Sequence, residues 1–315
     1  MIRRLLLGLL VLTPAVAKAQ EWPTRPVSIV VAFAPGGPAD VIARIIAQRL
    51  TEQMGKPFVV ENRVGGGGTV SATTVVRAAP DGHTALLLTS SHAVNESLAP
   101  TRGYDLLRDL APVAQIAETP YVLLVPPGRA TTLAELLAIG RREPLNVATG
   151  GPGGLTHLLG EMLKQRTGLD MAMVHYRGNA PAINDLMAGR VDFIFDNGAA
   201  SLDQARAGRL RALAVTAPQR LASAPEVPTM EEAGFTGFEV SAWLGIGVPA
   251  ATPPAIIARF AEQLRQVVAD PGVRTRLEAA GAQPEFRDTA AFTAVVARDI
   301  PRWREVIVQG NITAN

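Results

Sequence analysis

Cysteine is absent from this chain of 315 residues. No disulfide can therefore stabilise the fold. A chain of this length needs none, because it can bury one or two full hydrophobic cores. A bacterial lipid anchor is attached to a cysteine at the mature N-terminus, so we expect no anchor of that kind.

Long apolar runs are also missing, apart from one at the N-terminus. Arg3 and Arg4 precede the apolar residues 5–12, and small residues ending in Ala17-Lys18-Ala19 follow. This order is typical of a cleaved signal peptide, and the run is well short of the about 20 residues that span a bilayer. The sequence predicts a signal peptide at 1–19, export, and free diffusion in the periplasm of a double-membraned bacterium.

Neither sign of charge is in excess. The full chain has 30 basic and 28 acidic side chains, and three of the basic ones belong to the signal peptide. The remaining 27 basic and 28 acidic side chains give the mature protein a formal net charge of −1. Only Lys56 and Lys164 remain as lysines. A nearly neutral chain without a basic patch is not predicted to bind nucleic acid.

Sequence motifs of common enzyme classes are missing as well. The chain has no Gly-x-Ser-x-Gly elbow, no Walker A sequence and no His-Glu-x-x-His metal site. The four histidines stand isolated, and no spacing indicates a zinc or iron site. We predict no catalytic residue, no metal and no cofactor.

What the chain does contain is a strand, a glycine turn and a helix in direct succession. An apolar, β-branched run at 27–34 is followed by Pro35-Gly36-Gly37-Pro38 and then by a helical pattern over 40–54. Such a junction aims free backbone N–H groups and the positive end of a helix at one point. That arrangement binds an anion without a cationic side chain, so the sequence predicts a small carboxylate or similar ligand here.

Strand and helix patterns alternate along the chain, which is typical of α/β units with parallel strands. The length suggests two domains. Strands are predicted at 27–34, 57–61, 84–89, 113–117, 121–125, 145–149, 172–176, 191–195, 211–215 and 243–248. Helices are predicted at 40–54, 69–78, 132–142, 155–167, 180–188, 199–207, 254–268, 271–280 and 289–308. Pro301 should kink or divide the last helix.

Similar junctions recur after other strands. Glycine turns occupy 150–154, 176–179 and 196–198, and 88–92 is interpreted as a polar strand end. Ligands of open α/β sheets bind beyond the carboxyl ends of strands, so we expect these turns to line one crevice. The four glycines at 65–68 are interpreted as a connector.

Several polar residues beside these turns have two interpretations each. Asp40 is interpreted either as the N-cap of its helix, which is favoured, or as a ligand contact. His157, in the first turn of its helix, is a neutral donor to a carboxylate or a local cap. Asp196 accepts from ligand or water, or forms an Asx turn. Trp243 is interpreted as a packing residue near an interdomain crossing.

Together, these segments resemble the periplasmic solute-binding proteins of tripartite tricarboxylate transporters, the Bug receptors. The resemblance extends almost from end to end of the chain. It rests on residues 23–26, 33–40, 60–63, 79–82, 176–181, 195–197, 208–216, 225–229, 232–234 and 302–303.

The resemblance implies an α/β fold with two Rossmann-like lobes of the type II periplasmic-binding-protein class, joined by a two-strand hinge. Lobe 1 would combine 20–122 with 238–315, and lobe 2 would comprise 123–237. It implies a monomeric receptor that captures a small organic acid by hinge closure and delivers it to two integral-membrane permease subunits.

In the family, the turn after the first strand and the facing turns of the second lobe hold a ligand carboxylate through backbone groups and waters. Matched by motif, the implied ligand-binding residues are Ala34, Pro35, Gly36, Gly37, Asp40, Ser90, Ser91, Thr149, Gly150, Gly151, Gly153, His157, Tyr176, Gly178 and Asp196. The loops at 91–95, 104–109 and 152–156 depart from the family pattern. The resemblance therefore implies the fold more firmly than the identity of the ligand.

Two other functions stay open at this point. One is a periplasmic sensor that presents its ligand to a signalling receptor. The other is an exported enzyme on the same scaffold, since a fold alone does not decide function. The missing catalytic motifs disfavour the enzyme, whereas nothing in one chain separates transport from sensing.

Overall fold

The structure is a computed structural model that describes residues 22–197 and 199–313. The predicted signal peptide at 1–19 lies outside the described residues, and so does Gly198 in the turn after Asp196. None of the helices in the described part of the chain is both long enough and apolar enough to cross a membrane.

The strands assemble into two sheets, each at the centre of one lobe. The strands are β1 (Val27–Val31), β2 (Phe58–Asn62), β3 (Thr84–Thr89), β4 (Leu110–Pro120), β5 (Val122–Val125), β6 (Leu145–Thr149), β7 (Met171–His175), β8 (Phe193–Asp196), β9 (Arg211–Val215), β10 (Ser241–Pro249) and β11 (Gln283–Arg287). The first sheet has the order β11-β4-β10-β3-β1-β2, and the second has the order β7-β6-β8-β5-β9. This arrangement confirms the predicted two-lobed α/β class.

Helices cover both sheets. They are α1 (Pro38–Met54), α2 (Thr69–Val76), α3 (Ser90–Leu98), α4 (Leu106–Asp109), α5 (Leu133–Gly140), α6 (Leu155–Thr167), α7 (Asn179–Met187), α8 (Ala199–Arg206), α9 (Pro254–Ala269), α10 (Pro271–Ala279) and α11 (Thr289–Gln309). One apolar cluster packs α1, α9 and α10 against the first sheet. Another joins Phe292 and Trp303 of α11 to Leu158 and Leu163 of α6, so it crosses between the lobes.

Parallel pairing brings the ends of several strands to the same edge. Strand β1 runs parallel to β2 and β3, and β6 runs parallel to β7 and β8. The turns that follow β1, β3, β6, β7 and β8 therefore lie at the carboxyl ends of their sheets. In both lobes, that end of the sheet also carries the chain segments that connect the lobes.

The structure corrects three expectations about the elements. Residues 90–92 do not end a strand, because β3 stops at Thr89 and α3 begins at Ser90. Strand β11 was not predicted, since Gln283-Pro284-Glu285 is polar and contains proline. It pairs only with β4, at a sheet edge where proline is tolerated. Helix α11 continues across Pro301, so the predicted division is wrong, whereas the alternative of a kink stays a prediction.

Trp243 packs in the interior, as predicted. Its side chain is buried on β10, and its ring meets Phe292 edge to face at 5.3 Å between centroids. The indole Nε1 donates to Asp299 Oδ2 at 2.8 Å, which satisfies the polar atom of the ring.

Thr216 ties together the two segments that connect the lobes. The chain leaves the first sheet after Pro120 and returns to it at Ser241. The Thr216 hydroxyl accepts from the Tyr121 amide at 2.8 Å and donates to the Val240 carbonyl at 2.5 Å. One buried hydroxyl thus bonds to both crossing segments.

Replacing Thr216 with valine should lower the free energy of unfolding by about 1–3 kcal/mol, because the buried Tyr121 N–H loses its acceptor. Thr216→Ser keeps the hydroxyl and serves as the matched control. Urea unfolding followed by circular dichroism measures both variants. Equal stability of Thr216→Val and the wild type would contradict this role for the hydroxyl.

Candidate functional site

The first predicted turn precedes a helix that no side chain caps. Helix α1 has Gly37 at its N-cap position and Pro38 as its first residue. Gly36 has a φ of +82°, which favours glycine. The Gly37 N–H donates to the Ala34 carbonyl at 3.3 Å. The first-turn N–H groups of α1 therefore have neither an intrahelical partner nor a capping side chain.

Asp40 stabilises this turn by a hydrogen bond to its backbone. It is not the N-cap of α1, so the favoured prediction for this residue is wrong. It is the third residue of α1, is buried, and accepts from the Gly36 N–H at 2.9 Å. Arg44 Nε and Asn62 Nδ2 donate to the same carboxylate at 2.9 and 2.8 Å. The bond from Arg44 is the main reason why the pKa of Asp40 falls to about 2, against the opposing effect of burial. The paired carboxylate does not present a bare charge to a ligand.

Ser90 and Ser91 lie on the first turn of α3. The turn is closed by His92, whose Nδ1 accepts from the Thr89 N–H at 3.1 Å. Burial lowers the pKa of His92 to about 4, so its ring is neutral at physiological pH.

The glycines at 65–68 belong to the same region and do more than connect two elements. Asn95 Nδ2 donates to the Gly67 carbonyl at 2.6 Å. A Cβ on Gly68 would lie 3.0 Å from His92 Nε2 and 3.6 Å from Ala32 Cβ. This glycine turn therefore lies between α3 and the end of β1, beside the first predicted turn.

In the second lobe, the turn after Thr149 is built like the first. Helix α6 has Gly154 at its N-cap and no capping side chain. His157 is the third residue of α6, and its Nδ1 accepts from the Gly153 N–H at 3.0 Å. The Gly150 N–H donates to Thr156 Oγ1 at 2.8 Å. His157 and Asp40 therefore occupy equivalent places, each bonded to the N–H four residues before it.

The turn at 176–178 joins the previous one directly. The Tyr176 and Gly178 N–H groups donate to the carbonyls of Thr149 and Gly150, at 3.0 and 2.9 Å. The Tyr176 hydroxyl donates to Asp185 Oδ2 at 2.9 Å. Helix α7 follows, with Gly178 as an N-cap that has no side-chain bond. The second lobe therefore presents two adjacent uncapped helices.

Asp196 accepts from side chains of its own lobe. Asn179 Nδ2 and Ser201 Oγ both donate to its carboxylate. Asn179 is the first residue of α7, so Asp196 links the end of β8 to the start of that helix.

His175 has no neighbour in the sequence that marks it as functional, but the fold places it beside His157. Its ring lies 4.6 Å from that of His157, edge to face, and its Nδ1 is 2.8 Å from Thr149 Oγ1. Burial, with a smaller effect of His157, lowers the pKa of His175. Only the parallel register of β6 and β7, which places Thr149 opposite His175, brings these residues together.

The two lobes meet beside these turns. Leu98, the last residue of α3, lies against Gly153, since a Cβ on Gly153 would be 2.6 Å from Leu98 Cδ1. This contact places the glycine turn before α6 beside the end of α3. Most polar groups of the implied ligand-binding residues bond within the turns, and no side chain caps the starts of α1, α6 and α7.

Two cavities lie elsewhere and are lined by none of the implied ligand-binding residues. One of about 1040 Å³ is in the second lobe, beside Thr132 and Arg211. Another of about 710 Å³ lies between the lobes near Glu118 and Arg287. Among the described residues, no three histidine or acidic side chains are placed to hold a metal ion.

Comparison with known proteins gives concordant matches. The family model described as "Tripartite tricarboxylate transporter family receptor" matches residues 42–312. The chain is 35% identical over 309 residues to Protein BugT of Bordetella pertussis, covering 96% of this chain and 95% of BugT.

Two solved structures with ligands are also similar. One is a protein of R. palustris with adipate: TM-score 0.76, 35% identity, covering 93% of this chain and 99% of that one. The other is MatC of Rhodopseudomonas palustris with bound malate: TM-score 0.72, 34% identity, covering 91% and 100%.

Asp40→Asn should remove a pH-dependent part of the stability. A carboxyl with a lowered pKa stabilises the fold fully above its unfolded value of 3.8, and this contribution is lost as the pH falls through about 2. The stability difference between wild type and Asp40→Asn should therefore be constant above about pH 5 and shrink below pH 4. Urea unfolding at a series of pH values measures it. A difference that does not change with pH would contradict the ionised, paired state of Asp40.

Proposed function

Because this chain belongs to the tripartite tricarboxylate transporter receptor family, whose members are solute-binding receptors and not enzymes, we propose that it binds a small organic acid between its two lobes. The ligand's carboxylate would lie in the gap flanked by the turns at 34–40, 149–153 and 176–178. The adipate and malate named for two relatives support a carboxylate as the ligand class.

The observation that carries this proposal is that the helices beside these turns begin at glycines, whereas several others begin with a capping side chain. Helices α4, α5, α10 and α11 are capped by the side chains of Asp105, Thr132, Asp270 and Asp288. Helices α1, α6 and α7 begin at glycines without a side-chain cap, and so does α2 at the neighbouring turn. In the proposed site, these open N–H groups and positive helix ends would face the ligand from both lobes, where an anion would satisfy them.

We assign different roles within the implied ligand-binding set. The N–H groups of Gly36, Gly37, Gly150, Gly153 and Gly178 already have acceptors in the protein. The first-turn N–H groups of α1, α6 and α7 would therefore bind the carboxylate, assisted by the hydroxyls of Ser90 and Ser91. The remaining residues of the set, which are Ala34, Pro35, Asp40, Thr149, Gly151, His157, Tyr176 and Asp196, would form or hold the wall of the site.

The lobes would close by a hinge at the two crossing segments. We propose lobe 1 as 20–122 with 238–315 and lobe 2 as 123–237. Thr216, bonded to Tyr121 and Val240, lies where the crossing segments meet. Closure there would bury the carboxylate between helix ends of opposite lobes and remove it from water.

We place this receptor in the periplasm, exported by the signal peptide at 1–19. It would act there as a monomer that passes its ligand to two integral-membrane permease subunits. The family to which the chain belongs is the support for this transport role.

Adipate, malate, citrate and benzoate should be compared with adipamide, the neutral analogue of adipate, by thermal shift and calorimetry on the purified protein. An acid that binds should stabilise the fold by RT ln(1 + [L]/Kd), about 2.7 kcal/mol at one hundred times Kd. Adipamide should give no shift, because it has no charge for the helix ends. A shift with adipamide and none with the acids would contradict the proposal, and so would conversion of a bound acid to a product.

A carboxylate supplied by the chain itself should compete with the ligand. Gly37 and Gly154 are N-caps with φ near −73° and −72°, so each can accept an aspartate side chain that caps its own helix. Gly37→Asp and Gly154→Asp should bind the best acid of the panel about ten- to a hundredfold more weakly, with unchanged or slightly raised stability.

Gly37→Ala and Gly154→Ala are the matched controls, since they add a Cβ without a carboxylate. A Cβ at these positions would lie 3.4 and 3.5 Å from its nearest neighbours, which is ordinary contact. Both alanine variants should keep their affinity. Wild-type affinity in both aspartate variants would show that the helix ends do not bind the ligand.

A further inference from the structure

Leu98 and Gly153 form a close-fitting contact between the lobes. A Cβ on Gly153 would lie 2.6 Å from Leu98 Cδ1 and 3.9 Å from its Cγ. The first distance is far inside van der Waals contact. Leu98 is half-buried and packs against the apolar cluster that the two lobes share. The leucine thus occupies space that exists only because residue 153 has no side chain.

The notch at Gly153 is a feature of lobe 2 alone. Gly153 has a φ of +69°, in the left-handed region that favours glycine. Its N–H donates to Nδ1 of the buried His157, which fixes the turn to helix α6. The shape of the notch therefore does not depend on Leu98.

We propose that the seating of Leu98 in this notch contributes to the ligand affinity although Leu98 itself does not contact the ligand. The inference rests on the proposed function, because a receptor that binds between two lobes has an affinity that includes the free energy of bringing them together. Leu98 is thus a positioning residue. It offers no polar group to a carboxylate, and the Gly153 N–H already has His157 as its acceptor.

An alanine at 153 has two effects that can be separated. The strain of an alanine in the left-handed conformation lies within the turn of lobe 2 and is the same whether or not the lobes are together, so it lowers stability in both states. The overlap with Leu98 arises only when the lobes are together, so it lowers affinity. Leu98→Ala removes the second effect and leaves the first.

Calorimetry with adipate on Gly153→Ala, Leu98→Ala and the double variant tests the contact. Gly153→Ala should bind about tenfold more weakly, as expected for an overpacked contact. Leu98→Ala should lose less affinity, because it removes packing between the lobes but creates no overlap. The double variant should bind more tightly than Gly153→Ala alone. Wild-type affinity in Gly153→Ala, or a double variant no better than Gly153→Ala, would overturn the inference.

A second measurement needs no ligand. Because the chain has no cysteine, a single pair of spin labels can be placed at Lys56→Cys in lobe 1 and Arg142→Cys in lobe 2, which are both exposed. Gly153→Ala should shift the distance between the labels, and adding Leu98→Ala should restore it. An unchanged distance in Gly153→Ala would overturn the inference. If no acid binds, only the proposed function is contradicted. The distance between the two labels then still tests the contact of Leu98 with Gly153.

Discussion

The first-turn N–H groups of a helix have no partner within the helix, and the candidate site depends on this constraint. In helices α5, α10 and α11, a threonine or aspartate side chain at the N-cap accepts a hydrogen bond from one of these N–H groups. Helices α1, α6 and α7 begin at glycines, which offer no such side chain. Because these three helices follow strands whose carboxyl ends face the other lobe, their positive ends would meet at the proposed site. Their combined field would favour an anion there through backbone groups.

An open helix end still needs a turn that keeps its shape. Asp40 and His157 provide this in the two lobes by the same device, accepting the N–H four residues earlier in the chain. One is a carboxylate paired with Arg44, and the other is an imidazole ring against His175. A carboxylate and an imidazole ring thus stabilise two turns of the same geometry. These side chains satisfy N–H groups of the turns, so those of the helix ends would be left for the proposed ligand.

Patterns along the chain predicted most elements, because each depends on neighbours close in sequence. The strand at 211–215 and the helix at 155–167 were predicted with their observed bounds. Strand β11 was missed, since it is polar and forms only by pairing with β4, more than 160 residues away. The helix at Ser90 was missed for a related reason: its first turn is closed by the buried His92, and burial cannot be read from spacing.

The sequence by itself determined the α/β class, the glycine turns and the family, because backbone conformation and apolar periodicity are local properties. It left the roles of Asp40, His157 and Asp196 undecided between holding a turn and contacting a ligand. Only the tertiary structure supplied their partners, among them Asn62, His175 and Ser201, from elements that fold beside them. The contact of Leu98 with Gly153 likewise exists only where one lobe meets the other. A polar side chain near a turn has no fixed role until the packing decides which atoms lie within hydrogen-bonding distance.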